Sequence, residues 1–145
     1  MHFTARDLSF YASYPTSEGF NVDKRRYDFP ITAVRQTQGR SLYELPAVVV
    51  CLLLNRFKQW GIPAAGANTL LSRIDMEALN VAVAQIEAGH RQTLICTVPV
   101  HDFDLDETGT VHGSWDRVME AITETDCMVI DLSDLIPAVL RGEFW

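Results

Sequence analysis

Residues 39–74 read GRSLYELPAVVVCLLLNRFKQWGIPAAGANTLLSRI, and their reading decides the fold. Leu45, Val48, Val49, Leu52, Leu53, Phe57 and Trp60 recur at helical spacing, and Val50, Cys51 and Leu54 place apolar side chains on the opposite side. A helix that is apolar nearly all round must be covered on more than one face. Pro46 suits its first turn, where a missing N–H costs nothing. Arg56 and Lys58 suit the negative end of the helix dipole, and Gly61 suits a left-handed cap. Pro63 then opens a second helix with Ala64, Ala67, Leu70, Leu71 and Ile74 on one stripe. The expectation is a core helix, a tight corner at Trp60-Gly61-Ile62-Pro63 and a shorter helix.

Working back from this stretch, residues 40–43 read as a short strand leaving a turn at Thr37, Gln38 and Gly39. Residues 28–36, DFPITAVRQ, have strand character, so the two segments predict a small hairpin that feeds the core helix. Residues 15–21, PTSEGFN, are turn-rich. Residues 22–27 carry Lys24, Arg25 and Arg26, the chain's one run of three basic residues, on either a short helix or an extended arm. Near the start, Thr4 can cap a helix with Asp7 as its partner, turning Leu8, Tyr11 and Ala12 inward.

Working forward, Asp75 is a good cap for a helix whose stripe is Met76, Leu79, Val83 and Ile86, ended by Gly89. Residues 93–100, TLICTVPV, read as a strand, residues 101–113 as an acidic turn-forming stretch, and residues 114–125 as a helix capped by Ser114. Residues 127–132 read as a buried strand. Ser133 then caps a last helix with Pro137 in its first turn. The fold class that follows is α+β, mostly helical, with a small C-terminal strand–helix–strand–helix unit. The expected division is a domain over 1–74, a connecting or dimerising helix over 75–89, and a small α/β domain over 90–145.

The chain has 145 residues, 48% hydrophobic and 21% charged, which suits a globular core and excludes a globally disordered chain. The richest apolar run, residues 47–54, is far too short to span a bilayer, so no membrane partner is expected. Residues 1–10 show no charged leader followed by an apolar block, so no signal peptide is expected. Cys51, Cys96 and Cys127 match no zinc spacing and no disulfide framework, which predicts reduced buried thiols in a cytoplasmic protein.

Net charge is −7, but it is unevenly spread. Residues 1–60 hold eight basic groups against five acidic, a net +3, and residues 61–145 hold four against fourteen, a net −10. A basic half joined to an acidic half hints at a polyanion-facing module, while +3 over sixty residues is also within the range of an ordinary surface.

Catalytic and metal-binding motifs are poor. His90, His101 and His112 are evenly spaced but fall on no common helix or strand face that would make a metal site. Residues 104–115, DLDETGTVHGSW, partly resemble a calcium loop through Asp104, Asp106, Thr108 and Gly109, but Trp115 stands where a bidentate Glu is required. Ser114 lies in no G-x-S-x-G elbow, and no glycine-rich phosphate loop is present. Asp131 and Asp134 suit helix capping better than an acid–base pair. The expectation is no enzyme activity, no cofactor and no metal.

Taken as one piece, residues 3–74 resemble the DNA-binding domain of the MerR-like winged helix-turn-helix regulators. Residues 3–8, FTARDL, are similar to that family's opening helix, residues 39–45, GRSLYEL, to its wing exit, and residues 54–71 to its helical corner. The resemblance implies a recognition helix within residues 15–27, although this segment holds Pro15 and Gly19 and crowds its cations at the end. It implies a DNA-contacting set of Arg6, Lys24, Arg25, Arg26, Tyr27, Arg35, Arg40 and Tyr43. It also implies a homodimer joined through Met76, Leu79, Val83 and Ile86. Cysteines at the family's sensor spacing are absent. The expected function is a cytoplasmic, dimeric, double-stranded-DNA-binding transcriptional regulator whose acidic C-terminal half meets a protein partner. The alternative is an anti-repressor or adaptor that uses the same scaffold to bind protein rather than DNA.

Overall fold

Helix α3 (Leu45–Gln59) forms where the sequence predicts it, with Pro46 in its first turn, and it buries almost its whole circumference. Ala47 through Leu54 and Phe57 are all buried, each large side chain contributing about 1.5–3 kcal/mol relative to exposure. Two helices cover it: α1 (Ala5–Tyr11) and α4 (Ala64–Ser72). The corner is tight because Gly61 takes φ +81° and the Ile62 N–H reaches back to the Phe57 carbonyl at 3.0 Å. Ala67, Leu70 and Leu71 are buried on α4, while Ile74 lies buried beyond its end. The computed structural model describes residues 2–72, 74–90, 93–97, 109–113 and 127–141.

The chain divides into two units, Met1–Ser72 and Arg73–Trp145. The first is built on α3. Its strands β1 (Phe3–Thr4), β2 (Arg35–Thr37) and β3 (Arg40–Tyr43) form an antiparallel sheet in the order β1-β3-β2. β2 and β3 are joined by Gln38 and Gly39 alone, at φ 52° and 75°. Positive φ at both positions marks the tight hairpin turn whose twist matches its strands. Thr4 closes β1 and caps α1: its hydroxyl accepts the Asp7 N–H, and the Asp7 carboxylate accepts the Thr4 N–H at 2.7 Å.

Two local expectations are corrected, and an open one is resolved. Residues 17–21 are helical, because α2 runs Ser17–Tyr27 with Thr16 as its cap. Of the two alternatives for Lys24–Arg26, the helix holds: they sit on the last turns of an eleven-residue helix. Residues 28–34 are not strand. The Phe29 N–H bonds the Lys24 carbonyl and the Ile31 N–H bonds the Phe29 carbonyl, and the segment meets β3 only at its end, where the Val34 N–H donates to the Leu42 carbonyl at 2.9 Å just before β2 begins.

The second unit holds α5 (Met76–Glu87), an antiparallel sheet of β4 (Thr93–Thr97), β5 (Gly109–Gly113) and β6 (Cys127–Asp131) in the order β5-β4-β6, and α6 (Leu132–Leu140). The Asp75 carboxylate accepts the Glu77 N–H at 3.0 Å at the start of α5, and Gly89 ends the helix at φ 93°. α5 packs on α6 and β5, and α6 packs on β4. Residues 109–113 are strand where a turn-forming stretch was expected, paired residue for residue with β4. Ser133 lies inside α6 and not at its cap, and Pro137 lies past its first turn. The helix expected over 114–125 and the acidic residues 101–108 lie outside the described residues.

Within one copy of the chain, Leu79, Val83 and Ile86 are buried and Met76 is half-buried. A seam between copies on this stripe would require uncovering a face that the chain already covers. Across the described residues the protein is α+β and mostly helical, and none of its helices is long and apolar enough to cross a membrane.

Candidate functional site

The first unit presents a helix, a turn, a second helix and a hairpin. The turn between α1 and α2 is fixed from three sides. Ser13 takes a left-handed φ of 60°, and its carbonyl accepts from Lys58 Nζ at 3.2 Å. The same ammonium lies 5.1 Å from the Tyr14 ring centroid, and the Tyr14 hydroxyl donates to Asp23 on α2 at 2.8 Å. Burial, with Asp23 adding to it, pushes the Tyr14 phenol above its usual range, so it stays a donor. α2 is thereby held on α1 and α4, with Phe20 fully buried beneath it and the Asn68 side-chain amide donating to the Tyr27 carbonyl.

An open groove of about 530 Å³ lies where α1, α2 and the hairpin converge. It is lined by Thr4, Ala5, Arg6, Asn21, Lys24, Gly39, Arg40, Ser41 and Tyr43, which include three cations and no carboxylate. Strand register explains the meeting. Phe3 pairs with Tyr43 and Thr4 with Leu42, so the first turn of α1, which holds Arg6, rises beside Ser41 and Arg40. Lys24 enters from α2 and donates to the Tyr43 hydroxyl at 2.9 Å, with its ammonium 5.2 Å from that ring's centroid. Arg6 and Arg40 are exposed, and neither forms an ion pair with a described residue. Such a concave cationic surface focuses potential onto an anion.

The other expected residues lie around the groove. Arg25 and Arg26 are exposed on the outward face of α2, the former with its Nε 3.3 Å from the Asn21 carbonyl. Arg35 is exposed on the hairpin's outer strand. Tyr27 lies outside the groove, half-buried and stacked on Phe29 at 6.0 Å between centroids. Tyr43 is only 2% exposed and reaches the groove as a support for Lys24. Thr4, Ala5, Asn21, Gly39 and Ser41 complete the lining. Sequence reasoning passed over Asn21 because it fell in a presumed turn, although the Thr16 cap was the signal for a helix there.

Among the described residues no cluster of His, Cys, Asp and Glu could hold a metal ion. No protein-family model matches this chain, and comparison with curated proteins gives no significant match.

Proposed function

We propose that the Met1–Ser72 unit binds double-stranded DNA as a MerR-like winged helix-turn-helix regulator. In this reading α2 enters the major groove, and the β2–β3 hairpin follows the adjacent backbone as a wing. The observation that carries the reading is the convergence of Arg6, Lys24 and Arg40 on one groove free of carboxylates, beside the exposed Arg25 and Arg26 of α2 and Arg35 of the hairpin. Phosphate oxygens suit the groove, and base edges suit the outward face of α2. The charge division supports it, because residues 1–72 carry a net +3 and residues 73–145 a net −10.

The test is a fluorescence-anisotropy titration of the full chain against labelled genomic duplexes at two salt concentrations. Binding through cation–phosphate contacts weakens with salt, by about one unit of log–log slope for each phosphate neutralised. A folded protein that binds no duplex at low salt refutes the reading. That outcome favours a protein-interaction module, for which the exposed Phe10 (56%) and Val34 (51%) on the same unit are the supporting observation.

A further inference from the structure

The outward face of α2 carries an apolar residue among charges. Glu18, Val22, Arg25 and Arg26 are its exposed positions, and Val22 stands three and four residues before the two arginines, which places all three side chains together. Val22 is 42% exposed, whereas the helix's core contact is made by Phe20. Val22 is not part of the core, and a β-branched residue at an exposed helical site is less favourable to the helix than alanine. Asn21 and Lys24, the neighbouring positions, turn toward the cationic groove. A helix seated by that groove on a phosphate would present Val22 to whatever lies between the strands.

We infer that Val22 is a specificity-determining residue that reads the C5-methyl group of a thymine in the major groove, an inference that rests on the DNA-binding reading above. The floor of the major groove offers donors, acceptors and one apolar feature, the thymine methyl, so an apolar side chain between two arginines has one complementary base there. Arg25 and Arg26 flank it as donors to guanine edges or phosphate oxygens. The class of ligand is therefore duplex DNA carrying a thymine at the position facing the middle of α2, and not any polyanion.

The experiment uses the full chain. Duplexes that bind it are selected from a random-sequence pool, and each thymidine of the selected site is then replaced in turn by deoxyuridine, which removes only the methyl group and keeps the pairing. The wild type loses about four-fold in affinity at one thymine, the value of burying one methyl-sized group. Val22→Ala loses that thymine/uracil discrimination, and Val22→Ile keeps it, with circular dichroism reporting the same fold for all three. Selected DNA whose binding is indifferent to every methyl removal, or a Val22→Ala protein that keeps the wild-type ratio, overturns the Val22 inference and leaves DNA binding standing. Failure of the wild type to bind any duplex at low salt overturns both together.

Discussion

The Lys24 ammonium donates to the Tyr43 hydroxyl at 2.9 Å and stands 5.2 Å from the centroid of the same ring. This contact ties the C-terminal part of α2 to the central strand of the sheet across nineteen residues of sequence. It also holds a cation at the groove with part of its side-chain freedom already lost, which lowers the cost of seating a phosphate. Tyr43 is buried and Lys24 half-buried, so the pair is shielded from water more than a surface contact would be.

Tyr43→Phe keeps the ring and removes the hydroxyl. It should lower unfolding free energy by about 0.5–1.5 kcal/mol. Lys24→Ala should weaken DNA binding more than Tyr43→Phe does, and should flatten the salt dependence by about one unit of slope. Urea denaturation and anisotropy on the two variants check both statements.

The capping box at the start of α1 gives a second expectation. The Thr4 N–H and hydroxyl both reach the Asp7 carboxylate, at 2.7 and 2.8 Å. Thr4→Ala should cost about 1 kcal/mol. Asp7→Ala should cost a similar amount, and the double variant less than the sum, because both changes break one reciprocal pair. A denaturant double-mutant cycle measures the coupling directly. Since Arg6 follows the cap, both single variants should also loosen the groove and weaken DNA binding modestly.

Stability should fall at alkaline pH through Cys51. Burial pushes this thiol far above its ordinary value of 9.0, and the positive charge of Lys24 only partly opposes the shift. The folded state then keeps a proton that the unfolded chain releases. The contribution is complete below pH 9.0 and is lost as pH rises from there toward the folded value. Unfolding free energy should drop by as much as about 1.4 kcal/mol per pH unit from this group. Cys51→Ala should remove that part of the slope, and should leave a later fall from Tyr14, whose phenol is raised from 10.0 by burial and then by Asp23. Denaturation curves between pH 8 and 11 on both proteins, about one unit either side of these ionisations, separate the two.

The core helix and its corner were legible in the sequence because their signals are local and chemical: Pro46 fixes the start, Gly61 the left-handed stop, and the apolar spacing the buried faces. β3 and the Gln38–Gly39 turn were legible for the same reason. α2 was not. Pro15 and Gly19 read as breakers, yet Pro15 precedes the cap and Gly19 lies in the first turn, where its N–H donates to the Thr16 hydroxyl at 3.1 Å. A Cβ at Gly19 would come within 3.2 Å of that hydroxyl oxygen, so the glycine serves the cap and does not end the helix. The basic residues were visible one by one, but their meeting was not. Arg6 lines the same groove as Arg40 through a pairing of only Phe3 and Thr4 with β3, too short to leave a strand pattern. The burial of Tyr43, and its role as support for Lys24, is a tertiary property that no spacing encodes.

The groove of Arg6, Lys24 and Arg40 is proposed to hold DNA phosphate. The most direct measurement is the slope of log affinity against log salt for one selected duplex, compared between the wild type and the triple variant Arg6→Ala, Lys24→Ala, Arg40→Ala. If each cation neutralises a phosphate, the slope should become shallower by about one unit per residue removed, close to three in all, with a thermal unfolding transition showing that the variant remains folded. A folded triple variant that keeps the wild-type slope and affinity would contradict the claim.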